Sequence, residues 1–320
     1  MTRPYVFITR KLKEELFSSL MEIADVKMWD SESEPVPREL LMKEAQKATA
    51  LLTMLSDKVD EELLENAPNL KVVANLAVGY DNIDVKAASE RGVTVCNTPD
   101  VLTETTADLT FALMLATARR ITEAQGFVKE GRWQSWSPFL LAGADVHHKT
   151  IGIVGMGKIG QAVARRARGF GMEILYHNRT RHMEAEQELG TAYRSFEQLL
   201  EESDYVVCLT PLTDATRHLF DYDAFKRMKK SAFFINVGRG QVVDEEALIA
   251  ALHHNEIAGA GLDVFHEEPI GSDHPLLHFP HVVAIPHIGS ASVETRTTMI
   301  KLCRDNIVAV LQGNKAKTTV

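Results

Sequence analysis

Cysteine is scarce in this chain and never paired in spacing. The three residues Cys96, Cys208 and Cys303 stand far apart, and none belongs to a C-x-x-C motif. This excludes a disulfide framework and a thiolate zinc site, and fits reduced, buried thiols in a cytoplasmic protein. No other metal-ligand spacing is evident, so no metal is expected. Positive charge is short as well: 35 Lys and Arg stand against 44 Asp and Glu, a net charge of −9. A polyanion is repelled on average and no basic cluster reverses this, so no nucleic-acid partner is expected. Long apolar runs are missing too. The most apolar stretch, residues 111–118, is far below the roughly 20 residues needed to span a bilayer, and no membrane association is expected. Met1-Thr2-Arg3-Pro4 leads into a predicted strand without a signal-peptide pattern.

What is present is an alternation of short apolar runs and helical segments over 320 residues, long enough for two domains. Strands are predicted at Tyr5-Val6-Phe7-Ile8-Thr9, 26–29, 50–54, 70–76 and 93–97. Helices are expected over 11–23, after Pro35/Pro37, and after Ser56 as a cap. Strands separated by helices of this length imply parallel βαβ units in a doubly wound α/β fold. Pro99 interrupts the pattern, and one long helix is expected from Leu102 to about Val128. It is apolar around much of its circumference, which suits internal packing and a subunit interface equally. The loop Gly131–Trp136 carries two tryptophans, suited to anchoring an interface or roofing a small pocket.

A second series of strands follows at 151–154, 173–176, 205–209, 232–236, 258–264 and 282–285, with an amphipathic helix over 299–311. The expected division is a discontinuous substrate domain, 1–99 and 288–320, and a nucleotide-binding domain, 100–287. The centre of the second series is Ile151-Gly152-Ile153-Val154 followed by Gly155-Met156-Gly157-Lys158-Ile159-Gly160. Ile159, Ala162, Val163, Ala167 and Phe170 then share a helix face. Strand, G-x-G-x-x-G, helix lets a pyrophosphate approach the backbone, with unpaired N–H groups at the helix start facing its charge.

One further absence bears on the cofactor. An NAD site places an acid at the end of the next strand, to accept from the adenosine ribose hydroxyls. Here that strand ends Tyr176-His177-Asn178-Arg179-Thr180-Arg181, with no acid between Ile174 and Met183. Asn178, Arg179, Thr180 and Arg181 can donate to a 2′-phosphate, so NADPH is expected to be preferred over NADH.

Three later strands each end in a polar group suited to hydride transfer. Asn236-Val237-Gly238-Arg239-Gly240 sets an arginine between glycines, a fork for a carboxylate. Asp263-Val264-Phe265-His266-Glu267-Glu268-Pro269 brings acids, and Ile285-Pro286-His287-Ile288-Gly289 brings a histidine. Of twelve histidines, His287 is singled out because parallel sheets present ligands past the ends of apolar strands.

Taken in order, the glycine motif, Asn236–Gly240, Gly261-Leu262-Asp263-Val264-Phe265 through Glu268-Pro269, and Pro286-His287-Ile288-Gly289-Ser290 resemble the D-isomer-specific 2-hydroxyacid dehydrogenases along essentially the whole chain. His177–Thr180, the Trp133–Trp136 loop and Pro286–Ala291 look most like the glyoxylate/hydroxypyruvate reductase branch.

The resemblance implies a Rossmann nucleotide domain set into a flavodoxin-like substrate domain. It implies Arg239 as binder of the substrate carboxylate, His287 as proton donor and Glu268 as its partner. Spacing alone does not choose Glu268 over Glu267. Cofactor contacts are implied for Thr106, Gly155, Met156, Gly157, Lys158, Ile159, Gly160, Asn178, Arg179, Thr180, Thr210, Pro211, Val237, Gly238, Asp263 and Gly289. Asp263 is assigned to the nicotinamide carboxamide. Substrate contacts are implied for Met54, Trp136 and the backbone N–H groups of Val78 and Gly79. A homodimer with Trp136 reaching the partner's site is also implied.

The expected activity is reduction of a short 2-oxo acid (glyoxylate or hydroxypyruvate) to the D-2-hydroxy acid with NADPH. A phosphoglycerate- or hydroxyisocaproate-type dehydrogenase is a second enzymatic reading. The chain ends soon after Leu311, which leaves no room for a C-terminal regulatory domain on that reading. A non-catalytic NAD(P)-sensing module like the family's corepressors is a third, disfavoured by retention of Arg, Glu and His together.

Overall fold

The computed structural model describes residues 3–320, so Met1 and Thr2 of the expected leaderless start lie outside the described residues. The chain divides into two compact units, one running through Leu102 and resuming at Ala291–Val320, the other Thr103–Ser290. Each change-over falls three residues past the expected position. Thr103 opens a helix of the second unit, and the Ile288 and Gly289 N–H groups are bonded back to Asp263.

The first unit is a five-stranded parallel sheet of β1 (Tyr5–Ile8), β2 (Asp25–Met28), β3 (Ala50–Thr53), β4 (Val72–Asn75) and β5 (Thr94–Cys96), ordered β2-β1-β3-β4-β5. This is the doubly wound flavodoxin-like order. Strands β3 and β4 are buried along their whole length, which is why they appear in the sequence as unbroken apolar runs. The helix Val293–Leu311 packs on β4, and it begins six residues before the periodic stretch expected at Met299. Beyond it the chain returns to β5: Val320 N–H donates to Val95, and Asn306 Oδ1 accepts from Lys317 and Thr318.

Two local expectations in this unit are corrected. Residues 11–23 form only a short 3-10 turn, Glu14–Phe17, and one helical turn, Ser18–Met21. The charged helix is Glu61–Glu65 with Asp60, not Ser56, as its cap; Asp60 accepts from Leu63 N–H, whereas Ser56 accepts from Arg10. A carboxylate three residues before a free N–H competes better for it than a hydroxyl seven before.

The second unit is a seven-stranded parallel sheet of β6 (Thr150–Val154), β7 (Glu173–His177), β8 (Ala192–Tyr193), β9 (Tyr205–Cys208), β10 (Phe233–Asn236), β11 (Gly259–Leu262) and β12 (Val282–Ala284). Its order is β12-β11-β10-β9-β6-β7-β8, the Rossmann arrangement. The order reverses between β6 and β9, so the loops after these two strands flank the switch point.

The long helix expected over 102–128 is two helices, Thr103–Ala118 and Ile121–Lys129. Arg120 between them has φ +53°, and the Ala118 carbonyl accepts from Ala144 N–H of a returning segment. That competing bond and the left-handed residue end the first helix, although the apolar pattern continues. Thr103–Ala118 packs against β11 and against Lys158–Gly169, where Arg166 pairs with Glu104 and Asp108. No helix among the described residues is long and apolar enough to cross a membrane.

Candidate active site

The glycine-rich turn is built as its spacing requires. Gly155 has φ +108°, which a side chain would strain, and its N–H donates to the His177 carbonyl at 3.0 Å. A Cβ on Gly160 would fall 2.2 Å from the Gly155 carbonyl oxygen, so the helix Lys158–Gly169 approaches the turn as only glycine allows. Gly157 differs: nothing lies within 4 Å of the place its Cβ would take. No internal packing fills that face, and no side chain caps the helix that follows. An open face beside uncapped helical N–H groups fits a pyrophosphate. Met156 is fully buried, and its N–H donates to Asn178 Oδ1 at 2.9 Å. Asn178 therefore ties the end of β7 to the glycine turn. Across the switch point, Thr210 Oγ1 donates to the Val154 carbonyl, while the neighbouring Pro211 carbonyl accepts from Thr216.

The other polar residues past the strand ends converge within the same unit. A Cβ on Gly289 would lie 3.1 Å from Asp263 Oδ2 and 3.5 Å from both Thr106 Cγ2 and Val237 Cγ1. Four segments far apart in sequence thus meet at one point. The Arg239 turn is held from within by Asn236, which is almost fully buried. Its Oδ1 accepts from Gly238 N–H and its Nδ2 donates to the Arg239 carbonyl. Asn236 belongs to the quoted motif but received no role from sequence; an asparagine buried at a strand end, which must find partners, is the signal that could have found it.

Glu268 and His287 are in contact. Glu268 Oε2 lies 2.6 Å from His287 Nδ1, and Glu268 Oε1 accepts from Phe265 N–H at 3.0 Å. The contact is made by Glu268 and not by Glu267, its equal in spacing, among the described residues. Burial pushes the Glu268 carboxyl up. The hydrogen bond and charge of His287, the Phe265 N–H and the Arg239 guanidinium pull it further down, so it lies below the ordinary carboxylate value. Arg239 is therefore within electrostatic reach of the pair.

His287 has φ +51°, rare for a side chain of its size, and is held there by its surroundings. Its N–H donates to the Asp263 and Ile285 carbonyls, while the Asp263 carboxylate accepts from Ile288 N–H at 2.6 Å and Gly289 N–H at 2.8 Å. Burial raises the Asp263 carboxyl to about 6. Both of its oxygens serve the histidine turn, and the residue is 1% exposed.

In the first unit, the loops after β3 and β4 form a second polar centre. Asn75 Nδ2 donates to the Gly79 carbonyl at 2.9 Å, and Asn97 Nδ2 to the Val78 carbonyl at 2.8 Å. Among the described residues neither the Val78 nor the Gly79 N–H reaches an acceptor. Met54 N–H donates to the buried Asp57 carboxylate, and its carbonyl accepts from Asn82. Sequence reasoning missed Asp57, Asn75, Asn82 and Asn97, all of them polar residues with partners distant in sequence. Trp136 is not packed over a pocket in its own unit: it is 78% exposed, near the exposed Trp133, Phe139 and Leu140.

At the adenosine end, Arg179 and Thr180 are exposed, and no carboxylate among the described residues pairs with Arg179. Arg181 is engaged: its Nε and Nη2 each lie 2.7 Å from a Glu186 oxygen.

A glycine turn at the switch point of a Rossmann sheet, with an acid–imidazole pair and an arginine past neighbouring strand ends, defines an oxidoreductase working with a nicotinamide dinucleotide. Comparison with known proteins narrows that class. Residues 111–289 match the D-isomer specific 2-hydroxyacid dehydrogenase, NAD binding domain. The chain is 50% identical to a glyoxylate reductase of Pyrococcus horikoshii, over 99% of this chain and 96% of that one. Among solved structures, a protein from Thermus thermophilus superposes with a TM-score of 0.93 at 42% identity, covering 99% of both chains. An NADPH-dependent glyoxylate/hydroxypyruvate reductase from Sinorhizobium meliloti, in complex with NADP and malonate, gives 0.87 at 36% identity, covering 100% of this chain and 97% of that one. The chain belongs to the D-isomer-specific 2-hydroxyacid dehydrogenase family.

Proposed function

We propose that this protein reduces a short 2-oxo acid, glyoxylate or hydroxypyruvate, to the corresponding 2-hydroxy acid (the D isomer where the product is chiral), with NADPH preferred. The observation that carries the reading is the 2.6 Å contact between His287 Nδ1 and Glu268 Oε2 within reach of Arg239. With Nδ1 held, Nε2 is the nitrogen from which a proton leaves. Arg239 binds the substrate carboxylate by its planar fork and polarises the 2-oxo group. When bound, the nicotinamide supplies a hydride to C2. As charge develops on the carbonyl oxygen, His287 delivers its proton there and Glu268 stabilises the imidazolium beforehand.

Val78 and Gly79 are assigned to the substrate carboxylate through their unpartnered N–H groups, and Met54 to the substrate's side. Thr106, Gly155–Gly160, Thr210, Pro211, Val237, Gly238 and Gly289 are assigned to the dinucleotide. For Asp263, burial favours holding the His287 turn over touching the carboxamide. The preference for NADPH is supported by the missing acid after β7 and by exposed Arg179 and Thr180; the Sinorhizobium relative is itself named NADPH-dependent. The exposure of the large apolar side chains Ile121, Val128, Trp133, Trp136 and Phe139, all within one stretch of sequence, favours a homodimer, in which Trp136 would serve the partner's site.

Initial rates with glyoxylate, hydroxypyruvate and a branched 2-oxo acid, each with NADPH and NADH, test this reading. The short acids with NADPH should give the highest kcat/KM, and Arg179→Ala should erode the cofactor preference. Equal kcat/KM for the two cofactors would overturn the preference, and no turnover of any 2-oxo acid would overturn the activity.

A further inference from the structure

Four donors follow β7, yet the structure treats the two arginines differently. Arg179 is exposed and meets no carboxylate among the described residues. Arg181 is held in a two-pronged pair by Glu186, from the helix Met183–Leu189. Glu186 is itself fixed. Its Oε1 also accepts from the Tyr176 hydroxyl at 2.7 Å, and that hydroxyl accepts from His182 N–H at 2.8 Å. Tyr176 is a fully buried residue of β7, so the carboxylate is anchored to the strand that carries the adenosine-binding turn. The Glu186 side chain is only 16% exposed, against 58% for Arg181. The bonds to Arg181 and Tyr176 lower the Glu186 carboxyl to about 2, so it stays charged across the working pH range.

An arginine so paired is neutralised, and two of its five N–H donors, those along one edge of the guanidinium, are occupied. A carboxylate beside it also repels a dianionic phosphate. Resting on the NADPH reading above, we propose that Glu186 is a specificity-determining residue: it withholds Arg181 from the ribose 2′-phosphate and leaves Arg179 as its principal cationic reader. The acid missing from the end of β7 is thus supplied from the following helix. It faces an arginine rather than the ribose, and weakens a preference that two free arginines would make stronger. Selection between the cofactors is set by the balance of Arg179 against the Arg181–Glu186 pair.

The test uses nucleotide fragments as well as turnover. Calorimetric Kd values for adenosine 2′,5′-bisphosphate and adenosine 5′-monophosphate are measured on wild type, Arg179→Ala, Arg181→Ala, Glu186→Gln and the Glu186→Gln/Arg181→Ala double variant. KM values for NADPH and NADH are measured on the same set. Glu186→Gln should tighten the bisphosphate about five- to tenfold, the size of one partly screened charge-assisted contact, and leave the monophosphate unchanged. Arg181→Ala uncovers the Glu186 charge, so it should weaken the bisphosphate only about two- to threefold, well short of Arg179→Ala, and the double variant, in which both charges are gone, should bind it as wild type does. Arg179→Ala should weaken it about tenfold or more.

If Arg181→Ala alone weakens the bisphosphate as much as Arg179→Ala does, Arg181 already reads the phosphate and the inference fails. This comparison decides the matter even if Glu186→Gln does not fold. A Glu186→Gln variant that folds and binds the bisphosphate as wild type does would also overturn it. Equal wild-type affinity for the two nucleotides would instead sink the NADPH reading itself, with this inference resting on it.

Discussion

Gly240 lies so close to Phe265 that a Cβ on it would fall 1.7 Å from the Phe265 carbonyl oxygen. One side of this contact follows Arg239 directly, and the other is three residues before Glu268. The arginine turn and the acid's loop are therefore locked backbone to backbone, and any change in their spacing is felt by both groups.

Gly240→Ala tests that lock. The position does not require a left-handed backbone, so the whole effect comes from the clash. Displacing a packed loop costs on the order of 1–3 kcal/mol or more. A lower melting temperature should accompany a fall in kcat of tenfold or greater, because Arg239 and Glu268 part. Wild-type kcat in Gly240→Ala would mean the two loops tolerate separation.

Glu268→Gln addresses the acid–imidazole pair. The Glu268 carboxyl lies below its ordinary value, so it is ionised throughout the range in which an imidazole titrates. Removing its charge destabilises the imidazolium assigned above as the proton donor in the proposed reduction. The alkaline limb of the reduction rate should move to lower pH, read from pH–rate profiles of kcat/KM. Superimposable profiles would exclude the pairing. Replacing His287 by Asn should cost about a hundred- to ten-thousand-fold in rate.

Asp263 gives a stability prediction with a definite sign. Its carboxyl is raised from 3.8 to about 6 by burial, so between these values the folded chain binds more protons than the unfolded one. The penalty of its charge is present above pH 6 and relieved on acidification towards 4, which raises stability as pH falls through that window. Differential scanning calorimetry of Asp263→Asn should lack this rise. The variant should also lose activity, since each carboxylate oxygen accepts from one of the Ile288 and Gly289 N–H groups and the amide nitrogen of Asn, itself a donor, would face one of them. A wild-type pH dependence of Tm in Asp263→Asn would refute the assignment.

Asn97→Asp separates positioning from chemistry in the first unit. The carboxylate would face the Val78 carbonyl in place of the donating amide, tilting the peptide whose N–H is assigned to the substrate. KM for glyoxylate should rise about tenfold with kcat changed far less, the size of one lost hydrogen bond to a charged group. A fall in kcat at constant KM would place Asn97 elsewhere in the mechanism.

Much of the architecture was legible because parallel strands buried on both faces leave uninterrupted apolar runs. Leu51-Leu52, Val72-Val73-Ala74 and Val206-Val207 are such segments, and all lie at 0% exposure. The glycine spacing and the placing of Arg239, Glu268 and His287 past strand ends were legible for the same reason: a parallel sheet brings its carboxyl ends to one edge whatever the loops between them. The break at Arg120 was not, since the bond that ends the helix comes from Ala144, and local periodicity carries no trace of it.

Sequence alone thus determined the two sheets, the dinucleotide turn and the residue types at the strand ends, because each is a local pattern of burial or backbone freedom. Tertiary structure alone decided which of two neighbouring glutamates meets His287, that Asp263 holds the histidine's turn, and that Arg181 rather than Arg179 pairs with Glu186. Those are choices among partners of equal chemistry, and distance settles them only once the chain has folded.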